Sequence, residues 1–184
     1  MLKLLGIKVE YVYIRTKKEL EYFIKDYEDL NYKYLHISCH GNDAGIGLTY
    51  DETITFKELD SMFDNNQTKC KKRLFFSSCS VMQANLSEEL KKAGFLSIIG
   101  PLEEISFQDA TIFWAAFYQL VFRNKGTLET ITMKQDDVNY ALEHLSETFD
   151  LEIGAHFRYK NSSKGYKKVH FMKAENNERI KVIN

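Results

Sequence analysis

Three short runs in this chain are apolar on both faces of a strand, and they constrain the fold more than any other feature. They are Tyr32 to Cys39, Arg73 to Ser78 and Phe95 to Ile99. A strand with one wet face alternates apolar and polar residues; a run without that alternation needs cover on both faces. A helix between the first two runs opens with the capping box Thr55 and Glu58 and turns Phe56, Leu59, Met62 and Phe63 inward, with Asn65 to Gln67 ending it. Between the second and third, Asn85 and Glu88 cap a short helix carrying Leu86 and Leu90, and Gly94 stops it. Upstream, residues 7 to 14 (IKVEYVYI) read as a further strand. The capping pair Thr16 and Glu19 then starts a helix with Leu20, Phe23, Ile24 and Tyr27 on one face. Strand and helix in alternation predict an α/β fold with a mostly parallel central sheet.

The second half reads differently. Two long helices are expected, from about Gln108 to Arg123 and from about Leu128 to Ser146. Phe149, Leu151, Ile153, Phe157, Tyr159, Val169 and Phe171 then alternate, with the turn-rich link Asn161 to Gly165, and predict a terminal antiparallel hairpin. Gly45 to Leu48 and Thr53 to Ile54 predict a smaller hairpin. Residues 1–184 read as one domain, since no linker, repeat or low-complexity stretch divides them.

Composition excludes several classes. Lys plus Arg number 25 against 26 Asp plus Glu, so no broad nucleic-acid footprint is expected. The small basic clusters Lys69 to Arg73 and Lys164 to Lys168 are expected as solvated loops. No apolar run has the length of a membrane span. The first apolar run stops at Ile7 with no small-residue cleavage site after it, so a cytoplasmic protein is expected. Three Cys, an odd number, argue against a disulfide framework and raise the question of a nucleophile.

Sites in open parallel sheets form at the carboxyl ends of the strands. His40 ends one apolar run and Cys79 the next. With one crossover between them, the two strands are expected to be parallel neighbours, about 4.8 Å apart. A thiolate is the attacking form of cysteine, and an adjacent imidazole can take its proton and later protonate a leaving amine. Gly41 lets backbone approach a scissile carbonyl, and the N–H groups of Gly41 and Cys79 are candidates for an oxyanion hole. The remaining candidates have structural readings. Cys39 reads as core, Cys70 as a loop thiol, and His36 as a hydrogen-bonded core histidine sharing a face with Ser38. A metal set of His36, Cys39, His40 and Cys79 is rejected, because His36 and Cys39 point to opposite faces of one strand.

The segments YLHISCHGN (34 to 42), GIGL and LFFSSCS (74 to 80) resemble the caspase-like cysteine peptidases of the legumain, separase and CHAT type, the CHAT group most closely. The resemblance continues through residues 97 to 131, where a Gly-ended strand, a loop and a helix bearing Phe117-Tyr118 follow, and spans about residues 33 to 145. It implies a three-layer sandwich with helices on both faces, His40 as general base and acid, Cys79 as nucleophile and Gly41 in the oxyanion hole. It implies no metal and no cofactor. Relatives that cut after basic residues carry an Asp in the loop after the fourth strand, and here that place holds Phe107. Asp109 and Glu104 are the nearby acids that could restore a basic preference, whereas a pocket lined by Phe107 implies an apolar one. Asp43 could orient His40 or hold a loop turn.

Two functions from different classes follow. One is a cysteine endopeptidase acting on a protein substrate, a regulated effector in bacterial defence or programmed cell death, with its sensor in a separate protein partner. The other is a catalytically silent adaptor of the same fold that recruits a partner; the presence of both His40 and Cys79 weighs against it. A nucleotide-binding domain is disfavoured, because neither G-x-G-x-x-G nor a P-loop follows any strand.

Overall fold

The doubly apolar runs become three adjacent strands of one sheet. The structure is a computed structural model that describes residue 3, residues 7–30, 32–49, 52–63, 72–90, 93–122, 132–158 and 166–171, and the backbone of 180–183. In chain order it contains α1 (Lys17–Asp29), β1 (Tyr34–Ser38), β2 (His40–Gly41), β3 (Gly45–Gly47), β4 (Thr53–Thr55), α2 (Phe56–Ser61) and β5 (Arg73–Ser77). A 3₁₀ turn at Val81–Gln83 then leads to α3 (Leu86–Glu89), β6 (Ser97–Pro101), α4 (Phe107–Phe122) and α5 (Gln135–Phe149). The chain closes with β7 (Ile153–Arg158), β8 (Tyr166–Phe171) and β9 (Ile180–Ile183). None of the described helices is long and apolar enough to cross a membrane.

The main sheet has the order β1-β5-β6-β7-β8-β9, and β2, β3 and β4 form a small sheet beside it. Helices cover both faces. On one, α4 and α5 bury Phe113, Phe117, Val138 and Leu142 against Phe75, Ile99 and Ile153. On the other, Leu20 and Ile24 of α1, Leu59 of α2 and Leu86 of α3 pack with Leu74, Phe76 and Ile98. Both expected capping boxes are present: the Thr16 and Thr55 hydroxyls accept from the N–H of Glu19 and Glu58, whose carboxylates accept from the threonine N–H groups in return. Gly94 has a positive φ of 62°, but it is not what ends α3, whose C-cap is Leu90.

The expectation of a mostly parallel sheet needs correction. Only β1/β5 and β5/β6 are parallel, whereas β6/β7, β7/β8 and β8/β9 are antiparallel. A single crossover helix returns the chain to the end where the previous strand began. Two helices in series, α4 and α5, bring it back to where β6 ended, so β7 must run the other way. The Leu102 N–H donates to the Glu152 carbonyl and ties these two ends together. The terminal hairpin is thus part of the central sheet, and β9 extends it. The helix expected from Leu128 starts only at Gln135, since residues 132–134 are not helical and Lys134 is its extended N-cap; Leu128 and Ile131 lie outside the described residues. Phe149 ends that helix and does not start a strand.

Residues 7–15 form no strand either. Strand propensity measures fit to a paired, half-buried pleat, and here no ladder joins this segment to β1, which is the sheet edge among the described residues. Tyr11 and Tyr13 are 72% and 78% exposed. Ile7 packs against the α4/α5 layer and Ile14 against the α1/α2 layer. Asn85 does not cap α3 through its side chain; its Oδ1 accepts from the Ser87 hydroxyl. Two lysine-cluster residues expected in a solvated loop are buried. Arg73 donates to Ser97 Oγ, Gln135 Oε1 and the Met133 carbonyl, and the Lys72 ammonium lies 4.3 Å from the centre of the Tyr27 ring. Lys167 and Lys168 lie in β8. Asn65 to Gln67, Cys70, Tyr159 and Asn161 to Gly165 lie outside the described residues.

Phe75 has no exposed surface and meets Trp114, Phe117 and Tyr118 edge-on or tilted. Phe75→Ala removes the ring on which α4 sits. It is expected to cost about 3–5 kcal/mol, read as a lowered urea midpoint with an unchanged slope; a loss below about 1 kcal/mol would contradict this packing.

Candidate active site

β1 and β5 run parallel in a register that sets Ser38 opposite Ser77. Arg73, Phe75 and Ser77 alternate toward α4 and α5, as His36 does on β1. The His36 ring bridges the two strands and the helix above: its Nδ1 is 2.6 Å from the Tyr118 hydroxyl and its Nε2 is 2.7 Å from Ser77 Oγ. One ring nitrogen donates and the other accepts, so the neutral imidazole satisfies both contacts. Trp114 and Phe75 enclose the ring, with centroids 4.9 Å and 6.3 Å away. The core reading of His36 therefore holds, with named partners.

His40 and Cys79 lie just past the ends of these strands. His40 begins β2, which pairs with β3 and holds the imidazole in an exposed position. Cys79 follows β5, is half-buried, and packs against the α4/α5 layer. The residue after it, Ser80, has φ 55° and ψ 11°. A left-handed conformation at a residue with a Cβ costs about 1–2 kcal/mol, and here it reverses the chain abruptly, so that Cys79 stands at a turn. Both side chains meet the segment leading into α4. The Cys79 thiol donates to the Ile105 carbonyl at 3.5 Å, and the His40 ring stands edge-on to Phe107 at 5.2 Å. Residues 105–107 thus bracket the two groups on one side.

Gly41, the second residue of β2, lies against the end of β5. A Cβ there would lie 2.8 Å from Ser78 Cβ and 3.4 Å from the Cys79 carbonyl oxygen, so only glycine allows this approach. The Asn42 N–H donates to the Gly45 carbonyl. By antiparallel alternation the next pair, Gly41 and Ile46, exchanges no ladder bonds, which turns the Gly41 N–H away from β3. The turn that follows is held by Asn42, whose Oδ1 accepts from the Ala44 and Gly45 N–H groups. That is the role considered for Asp43, which is exposed.

The three pocket candidates separate. Phe107 is 57% exposed beside His40. Asp109 is a helix-capping acid: its carboxylate accepts from the Ser106 hydroxyl at 2.6 Å, and its N–H donates to the same oxygen. Glu104 is exposed, while its neighbour Glu103 accepts from the Glu152 N–H. Cys39 sits on the opposite sheet face from His36, with Sγ 3.3 Å from Ser78 Oγ, and burial pushes its thiol up from the ordinary range. Sequence reasoning missed the left-handed Ser80 and the Ile105 carbonyl. Both act through backbone, which leaves no side-chain signature.

Chemically, a thiol at a turn, an imidazole past the end of the neighbouring strand and a glycine N–H directed away from its own hairpin can serve nucleophilic acyl transfer. Compared with known proteins, the chain matches no family model and no curated sequence.

Below the site, burial holds two imidazoles neutral. His36 is pushed down to about 4, and so is His156, where Lys168 and His170 add to the effect. His156 Nδ1 accepts from the Ser87 N–H. In the unfolded chain both rings bind protons near the ordinary value of about 6.5, so the unfolded state takes up more protons between about 6.5 and 4. Stability is full above this window and falls as the pH drops through it. His156→Gln can keep an acceptor for Ser87 and removes one titration. Its melting temperature is expected to fall less than that of the wild type between about pH 7 and pH 4.5; equal falls would contradict a buried neutral His156.

Proposed function

We propose that the chain is a cytoplasmic cysteine endopeptidase with a caspase-like, CHAT-type fold that cleaves protein substrates through Cys79 and His40. The supporting observation is the convergence of His40, Gly41 and Cys79 at one end of the parallel strands, bracketed by Ile105 and Phe107. His40 takes the Cys79 proton as the sulfur attacks the scissile carbonyl carbon. The N–H groups of Gly41 and Cys79 hold the oxyanion. His40 then gives its proton to the leaving amine as the C–N bond breaks, leaving a thioester on Cys79. Water, deprotonated by His40, hydrolyses the thioester and restores the thiol. This sequence needs neither metal nor cofactor.

Phe107 argues for an apolar side chain next to the cleaved bond. Its ring is the large exposed apolar group in contact with His40, and Asp109 is occupied in capping α4. The resemblance to CHAT-type peptidases further supports a regulated effector, in bacterial defence or programmed cell death, that answers to a separate sensor protein.

A peptide library read by mass spectrometry tests both parts. The wild type is expected to cut after aromatic or large aliphatic residues, and Cys79→Ala and His40→Ala are expected to lose at least about a hundredfold in rate. Phe107→Asp is expected to shift cleavage toward Lys and Arg. Cleavage that survives in Cys79→Ala would remove the assignment of the nucleophile. A wild type that already prefers Lys or Arg would remove Phe107 as the determinant and return Glu104 to that role.

A further inference from the structure

Ser78, the residue before Cys79, meets both chain neighbours of His40. Its Oγ lies 3.3 Å from the Sγ of Cys39, and Gly41 approaches so closely that a Cβ there would stand 2.8 Å from Ser78 Cβ. Ser78 is 1% exposed, so water does not take over either contact. On the opposite face of the sheet, the preceding residue, Ser77, is held by the His36 ring at 2.7 Å.

The place of these contacts gives them their weight. The paired register of β1 and β5 ends at Ser38 and Ser77, and from His40 the chain turns away to pair with β3. Past that last rung, among the described residues, no ladder sets how far the His40 segment lies from the Cys79 segment. The Ser78 side chain spans this gap. A thiol–hydroxyl hydrogen bond is weak, but a buried donor or acceptor deprived of its partner costs its full desolvation. Burial pushes the Cys39 thiol up from the ordinary range, so it stays protonated and the pair stays neutral. Reactivity between two groups is steep in their placement, and a shift of about 1 Å can cost about a hundredfold in rate.

We propose that Ser78 is a positioning residue: tied to Cys39 and seated on Gly41, it sets the separation of the Cys79 sulfur from the His40 imidazole and the aim of the Gly41 N–H. The proposal rests on the peptidase reading of His40 and Cys79 and adds the contact that sets its geometry. Cys39 acquires a role in the same stroke. It is not a second nucleophile; it anchors the serine from the β1 side.

The tie can be cut from either end without touching His40, Gly41 or Cys79. Ser78→Ala keeps the Cβ that rests on Gly41 and removes the hydroxyl. Cys39→Ala removes the sulfur, and Cys39→Ser is the conservative variant that keeps a donor and an acceptor. Iodoacetamide labelling of Cys79 is followed by mass spectrometry across about pH 5 to 8 in the full chain, for the wild type and each variant, with and without His40→Ala. The melting temperature monitors the fold. Ser78→Ala and Cys39→Ala are each expected to slow the His40-dependent labelling about three- to tenfold, the size of one lost hydrogen bond. Cys39→Ser is expected to restore it. The double variant Cys39→Ala/Ser78→Ala is expected to be no slower than either single one, because both remove the same contact. In peptide cleavage the loss is expected in kcat, with KM unchanged. Labelling at the wild-type rate in both single variants would overturn the proposal, and so would a loss that persists undiminished in the His40→Ala background, which marks general distortion of the turn. The two readings fail separately. Labelling that depends on His40 but ignores Ser78 and Cys39 removes the positioning role alone. Wild-type labelling indifferent to His40→Ala removes the peptidase reading, and the positioning role with it.

Discussion

The parallel pairing of β1 with β5 is the constraint on which the rest depends. Its register places His36 beside Ser77 and leaves the two strands ending together, with His40 and Cys79 just beyond. A slip of one residue would invert the facing of every side chain on one strand relative to the other. A slip of β1 would take His36 from Ser77 and Tyr118, and a slip of β5 would take Phe75 from Trp114 and Phe117. The register is therefore secured by the core beneath the site. The hydrogen-bonded imidazole of His36 works together with the ring cluster on α4, and a polar network of this kind specifies one arrangement because any other leaves its groups unpaired.

Helix α4 links that core to the chemistry. Its middle carries Trp114 and Tyr118 against His36, and its first residue, Phe107, reaches His40. The helix is thus seated by burial at one end of the site and presents an exposed ring at the other. The loop before it sets the Ile105 carbonyl 3.5 Å from the Cys79 sulfur. One helix thus packs against the paired strands and borders the candidate site.

Much of this was legible in the sequence, for identifiable reasons. Tyr34–Ser38, Arg73–Ser77 and Ser97–Pro101 carry apolar residues on both faces, and such runs have few homes other than a sheet covered on both faces. The capping boxes at Thr16 and Thr55 are local and need no tertiary knowledge. His40 and Cys79 stood out because reactive side chains fell at strand ends. What was not legible depended on long-range geometry. Residues 7–15 have strand composition but no ladder partner, and composition cannot report a missing neighbour. The reversal at β7 follows from counting two helices between strands, which the pattern of apolar residues alone does not turn into a direction. Lys72 and Arg73 look like surface charge until the Tyr27 ring, Ser97, Gln135 and the Met133 carbonyl are brought to them. The left-handed Ser80 and the Ile105 carbonyl leave no trace in residue type.

The central claim is that His40 governs the reactivity of Cys79. The most direct test is the rate of Cys79 alkylation by iodoacetamide across about pH 5 to 8 in wild type and His40→Ala, resolved from Cys39 by mass spectrometry. The account predicts that His40→Ala slows Cys79 labelling by about tenfold or more at the acidic end, where an unassisted thiol is nearly unreactive, and leaves Cys39 unchanged. Identical Cys79 profiles in the two proteins would contradict it.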